Sequence, residues 1–188
     1  MRLHPFGPLQ YHLPPLWSAK FWLAVGLLAV MVLAVVLHRI QSRRRPVILI
    51  DGSNVMHWRD GTPSLAPLRA VIGVVRAAGF ELGIVFDANA GYKLFGRYLD
   101  DADLARKLDL PADQVLVVPK GQPADPVLLA IARDRGASII TNDRYRDWAE
   151  THPEIATPGH LIRGGWRDDE IWLDLAASGS AKTAASRR

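Results

Sequence analysis

The chain has 188 residues, 49% of them hydrophobic, which suffices for one compact domain and not comfortably for two. Its formal charge of +4, from 23 Lys and Arg against 19 Asp and Glu, suits a polyanionic partner without demanding one. With no cysteine, disulfides, zinc–thiolate fingers and thiol nucleophiles are excluded.

Residues 1–16 are rich in Pro and aromatics and too short to fold alone. Phe21 to Leu37 then forms an uninterrupted apolar run of 17 residues, about 25 Å as a helix. That is at the short limit for crossing a bilayer, but Trp17, Trp22, His38 and Arg39 flank it and extend its reach. No small-residue cleavage site follows, as a signal peptide would require, and the run has no polar face, as a core helix would. The expectation is a single transmembrane helix over residues 17–39. Arg39, Arg43, Arg44 and Arg45 follow it, against Arg2 and Lys20 before it. This bias places the C-terminal side in the cytoplasm of a single-pass protein of the cell membrane, with 1–16 on the far side. Residues 40–46 form a basic linker, whose arginines also suit anionic lipid.

A domain over residues 47–176 follows. Four apolar β-type runs, Val47–Ile50, Leu82–Phe86, Val115–Val118 and Ser138–Thr141, alternate with helical segments, the sign of a parallel sheet with helices on its faces. Helices are expected over Leu65–Ala78, Leu99–Lys107, from Pro126 to near Gly136 with Asp125 at the cap, and Arg144–Glu150. Residues 88–96 read as a loop, and 161–173 as a closing hairpin. The Ala/Ser-rich, basic tail over 177–188 reads as disordered.

After the strands come Asp51, Asp87, Asp125 and Asp143. Ligands bind beyond the carboxyl ends of such strands, and four carboxylates gathered there would repel one another unless cations sat among them. Hard oxygen ligands suit Mg²⁺ or Mn²⁺. Asp51, Asp125 and Asp143 are the expected direct ligands, with Asp87 or Asp147 contributing through water and Asn54 orienting a water or a carboxylate. Asp147 lies one helical turn after Asp143 and would face the same way; a salt bridge to a nearby Arg is its alternative role. Capping is the alternative for Asp125 and for Asn142. Lys120, Arg144 and Arg146, with Lys93 and Arg97 near the same edge, are expected to contact phosphates, a solvated surface being the alternative for each, and Ser53 and Asn142 are expected at the substrate. Tyr92 is placed to stack on a base and Tyr145 to pack in the core. Asp100, Asp101 and Asp103 read as a solvated helix face.

The turn Asp51-Gly52-Ser53-Asn54 and the segment Thr141-Asn142-Asp143-Arg144-Tyr145-Arg146-Asp147 resemble the PIN-like ribonucleases of the NYN group, most closely the Regnase-type nuclease domain. The likeness covers roughly Val47 to Leu173, and the step from Asp125 to Asp143 also matches. It implies a PIN-like Rossmannoid three-layer α/β domain with a central, mostly parallel sheet, and a divalent-metal-dependent endoribonuclease. Three departures stand out. The Regnase subgroup pairs two aspartates before the middle helix, where this chain has Ala124 and Asp125. Asp87 follows the second strand, where that subgroup usually lacks an acid, and would restore the charge Ala124 removes. There is no zinc finger.

The expected activity is hydrolysis of RNA phosphodiester bonds, with Mg²⁺ or Mn²⁺ as cofactor and no organic cofactor. The alternative is the same fold as a weak or inactive module that binds RNA or a partner, kept open by Ala124. An aspartyl-phosphate phosphatase would want an Asp where Ser53 stands. Expected partners are RNA and the bilayer; single-stranded DNA as substrate and a homo-oligomer are left open.

Overall fold

The structure, a computed structural model, describes residues 19–42 and 46–175. The expected segments 1–16 and 177–188, and Arg43 to Arg45, lie outside them. The chain divides into two compact units, Met1–Arg44 and Arg45–Arg188.

In the first unit, helix α1 covers Ala19–Ser42. Every side chain described in it, Trp22 to Leu37, is exposed, and apart from Gly26 each is apolar. Among the described residues no helix is long and apolar enough to cross a membrane. The transmembrane helix expected over 17–39 is therefore not found among the described residues, which place an apolar, exposed helix there instead.

The second unit is built on one sheet. Strands β1 (Val47–Asp51), β2 (Glu81–Phe86), β3 (Val115–Val117), β4 (Ser138–Ile140) and β5 (Leu161–Ile162) lie in the order β3-β2-β1-β4-β5, and every neighbouring pair is parallel. Alternation along the strands sorts side chains into two cores. Ile48, Ile50, Ile84, Phe86, Val115, Val117 and Ile140 enter one, with helices α3 (Leu65–Ala77) and α5 (Asp101–Leu108). Leu49, Val85 and Ile139 enter the other, with α6 (Ala124–Arg135). Strands buried on both faces need continuous apolar runs, and that is how these runs read. The chain runs outward from β1 through β2 to β3, then returns to place β4 on the other side of β1. The strand order therefore reverses between β1 and β4, and a crevice opens above their carboxyl ends at such a point.

Local departures from expectation have local causes. Residues 88–96 are not a loop: Ala90–Phe95 form helix α4, closed by Gly96 at φ 72°. The glycines at 91 and 96 give this segment a turn-like composition, but Gly91 serves packing. A Cβ there would lie 2.5 Å from the Leu99 nitrogen. The acids near α5, read as a solvated face, lie at the surface but also make local bonds. The Asp100 carboxylate caps the helix by accepting the Asp103 N–H, Asp101 accepts the Val117 N–H at 2.6 Å, and Asp103 pairs with Arg106. Helix α6 starts at Ala124, with Pro123 at the cap position, so Asp125 lies inside the first turn and does not cap it.

The helix expected over Arg144–Glu150 is a short 3-10 turn, Arg146–Trp148, because Tyr145 adopts the left-handed region at φ 47° and interrupts it. The expected hairpin over 161–173 divides. Its first residues join the main sheet as β5, while β6 (Gly164–Arg167) and β7 (Glu170–Leu173) pair antiparallel. Asp168 and Asp169, both at positive φ, make the two-residue turn.

Candidate active site

Asp51 ends β1, the inner strand at the reversal, and is 7% exposed. Short helix α2 (Gly52–Val55) starts immediately after it, because Gly52 passes under the Phe86 ring where any Cβ would come within 2.4 Å of a ring carbon. This tight turn points the Asn54 N–H back at Asp51 Oδ1, at 3.0 Å. Asp51 Oδ2 accepts from the Tyr145 hydroxyl at 2.7 Å and from the Thr141 hydroxyl at 3.0 Å. Burial, the largest effect, drives the Asp51 carboxyl above its ordinary value; these three donors oppose it, and the Asp87 charge adds to it.

The segment after β4 wraps the same point. Thr141 is fully buried, and its hydroxyl also accepts the Asp143 N–H at 3.0 Å. Asp143 Oδ1 accepts the Tyr145 N–H at 2.8 Å, a side-chain turn that sets Tyr145 in its left-handed conformation. Tyr145 packs in the core as expected, 2% exposed, and its hydroxyl is held well above the usual phenol range, first by burial and then by the Asp51 charge. At neutral pH it therefore keeps its proton and donates it in a hydrogen bond to Asp51.

Asn54 joins the two motifs. Its Oδ1 accepts the Asn142 N–H at 3.0 Å and the Trp58 indole N–H at 2.8 Å. The Asn142 side chain in turn pairs with the Gly164 backbone, donating to its carbonyl at 2.8 Å. The Ser53 hydroxyl accepts the Asp87 N–H at 2.8 Å, binding the end of β2 to the turn after β1. Ser53 and Asn142, expected at the substrate, are thus engaged in holding the frame.

Asp125 enters from α6. Its carboxyl is pushed up from 3.8 to about 6, first by burial, then by the charges of Asp51, Asp143 and Asp87, while a Trp148 hydrogen bond opposes the shift. The first turn of a helix favours negative charge; here burial and three like charges outweigh it. The four aspartates that follow the strands therefore share one electrostatic neighbourhood. They are not drawn into a ready ligand set: among the described residues no group of three or more His, Cys, Asp or Glu side chains stands close enough to hold a metal ion. Asp147 is exposed, and the helical turn that would align it with Asp143 is absent.

Ala124 is buried against Leu128 and Leu129, so the second carboxylate of the expected pair is replaced by packing. The Asp87 charge acts on both Asp51 and Asp125. Lys120, Arg144 and Arg146 are exposed, and among the described residues none forms an ion pair, so the Asp147 salt bridge is not made.

Three further residues shape the site. Thr141 and Tyr145 hold Asp51; their motif positions were visible, but their hydroxyls' target was not. Arg163 donates to the Asp143 carbonyl at 2.9 Å and braces the loop from β5. Nothing at position 163 in the sequence signals it, since the contact exists only once β5 lies beside β4.

Residues 43–182, well over half of the chain, match the model of the Zc3h12a-like Ribonuclease NYN domain. No curated protein matches the chain in sequence. The fold is similar to the crystal structure of nuclear proteinaceous RNase P 2 (PRORP2) from A. thaliana, at 18% identity and a TM-score of 0.50, covering 84% of this chain and 36% of that one. A second structure of the Arabidopsis thaliana nuclear protein-only RNase P 2 (PRORP2) gives 18% identity and a TM-score of 0.53 with the same coverage, 84% and 36%. The chain spans about a third of the length of these solved chains, and at such identity the likeness is one of fold. Both signature segments lie inside the matched residues and meet at the β1–β4 reversal, and the chain belongs to the Zc3h12a-like ribonuclease NYN domain family.

Proposed function

We propose that this chain is a divalent-metal-dependent endoribonuclease, tethered to the membrane by its N-terminal helix with the NYN domain on the cytoplasmic side. The carrying observation is the convergence of Asp51, Asp87, Asp125 and Asp143 at the carboxyl edge of the sheet, where three charges help push the fourth carboxyl to about 6. Carboxylates that repel one another, with Asp51 among them buried, are a costly arrangement that a cation relieves. The donor set is hard oxygen throughout, as Mg²⁺ or Mn²⁺ prefers.

Asp51, Asp125 and Asp143 would hold the ion, with Asp87 or Asp147 through water. Asp51 keeps one acceptor site beyond its three hydrogen bonds, on the oxygen that accepts the Asn54 N–H. A bound ion would supply Lewis acidity for phosphodiester hydrolysis, so no protein nucleophile is needed. Asn54, Thr141 and Tyr145 fix the direction of the Asp51 carboxylate. Lys120, Arg144 and Arg146, exposed at the same edge, are available for phosphates.

A second reading has its own support. Asp51 has both oxygens engaged and no three-ligand set is preformed, which suits a module that binds RNA without cutting it. Incubating the full chain with single-stranded RNA and Mn²⁺, with and without EDTA, separates the two. The nuclease reading expects internal cleavage that EDTA abolishes and that Asp143→Asn reduces at least a hundredfold, on the order of one lost transition-state contact or more. RNA binding without cleavage under any divalent ion would establish the second reading instead.

A further inference from the structure

Beside the carboxylate edge, α4 and the turn after it carry three aromatic rings to the surface. Tyr92 is 57% exposed, Tyr98 56% and Phe95 38%. A single exposed aromatic needs no explanation, but three so close in the chain form a patch that packing does not account for. The patch is tied to the site, since the Ala90 N–H at the start of α4 donates to the Asp87 carbonyl at 3.0 Å. It is also held together. The missing side chain of Gly91 lets the Arg97–Leu99 backbone lie against α4, where a Cβ would come 2.7 Å from the Arg97 carbonyl oxygen, so the segment carrying Tyr98 folds back onto the helix carrying Tyr92 and Phe95.

Its charge is basic. Lys93 and Arg97 are exposed, and neither forms an ion pair among the described residues. The Lys107 ammonium sits 4.8 Å from the Phe95 ring centre. The acids next in the chain are already engaged: Asp100 by the α5 cap, Asp101 by the Val117 N–H and Asp103 by Arg106.

Exposed rings interleaved with cations match unpaired nucleotides, which offer base faces for stacking beside a charged backbone. A paired duplex hides those faces. We infer that Tyr92, Phe95 and Tyr98, with Lys93 and Arg97, form a stacking platform for single-stranded RNA leading to or from the carboxylate edge. This rests on the nuclease reading for its substrate and adds the strand's path and its single-stranded character. A bilayer interface also attracts aromatic and basic side chains. Continuity with Asp87, where the substrate must arrive, favours RNA.

The test is a binding titration of the full chain in EDTA, using a labelled single-stranded RNA oligonucleotide and a duplex of the same sequence. Replacing Tyr92 and Tyr98 together with Ala is expected to weaken single-strand binding roughly five- to a hundredfold per base unstacked. The salt slope should hold, because no charge is removed, and duplex binding should not change. Replacing both with Phe should preserve single-strand affinity. Unchanged single-strand affinity in the Ala variant, as a membrane-facing patch would give, overturns the platform, and so does an equal loss on the duplex. The two readings fail separately. A wild-type chain that needs these rings for binding but never cuts with Mn²⁺ overturns only the nuclease, while a chain that cuts normally with both rings removed overturns only the platform.

Discussion

At the scale of single residues, the site depends on donors that keep a buried carboxylate in place. The Tyr145 hydroxyl is the shortest of the three hydrogen bonds on Asp51 and lies in the core. Tyr145→Phe removes one charge-assisted bond while keeping the ring, and should lower stability by about 1.5–3 kcal/mol in chemical denaturation. A smaller loss than about 0.5 kcal/mol would mean that Asp51 finds another donor. Asp125 makes the opposite case. Its folded carboxyl titrates at about 6 against an ordinary 3.8, so the folded state binds a proton more tightly than the unfolded one. Its contribution to stability is fully present below about pH 3.8 and is lost as pH rises through about 6. In EDTA, Asp125→Asn should therefore be more stable than wild type at pH 7, with the gap closing toward pH 4. Thermal melts across that range check the sign, and a variant less stable at pH 7 would remove the repulsion argument.

At the scale of elements, the turn between β1 and α2 is the most tightly specified. Gly52 sits against the Phe86 ring, and an added methyl at 2.4 Å from it requires the strand, the ring or the helix to move. Gly52→Ala should cost about 1–3 kcal/mol by overpacking and should also turn Asp51 and Asn54 away from their partners, so activity falls further than stability. Paired melting and cleavage measurements read both, and activity that tracks folded fraction alone would make the turn merely structural. The runs forming β1 to β4 were legible because a strand buried on both faces admits only apolar side chains. The helix over Ala90–Phe95 was not, since its glycines answer to packing against Leu99 rather than to local propensity. The same holds at Tyr145, whose left-handed backbone breaks an otherwise helical pattern because the Asp143 side chain takes its N–H.

At the scale of the whole molecule, an exposed apolar helix and a stretch of basic sequence precede a domain with its own two cores. If α1 anchors the chain, full-length protein should stay with the membrane fraction after alkaline carbonate extraction, and removal of residues 1–45 should release it while metal-dependent cleavage persists. Release of the intact chain by carbonate would rule out a spanning anchor. The sequence by itself determined the parallel α/β order, the four aspartates that follow the strands and the Asp51-to-Asn54 and Thr141-to-Asp147 signatures, because burial and turn chemistry act on neighbours in the chain. Only the tertiary structure decided what those residues touch. The return of β4 beside β1 brings Asn54 to Asn142 and Tyr145 to Asp51, and β5 beside β4 brings Arg163 to Asp143. These contacts join residues 20 to 94 positions apart, and nothing local in the sequence carries a partner at such a distance. It exists only once the sheet has closed the strands around a shared crevice.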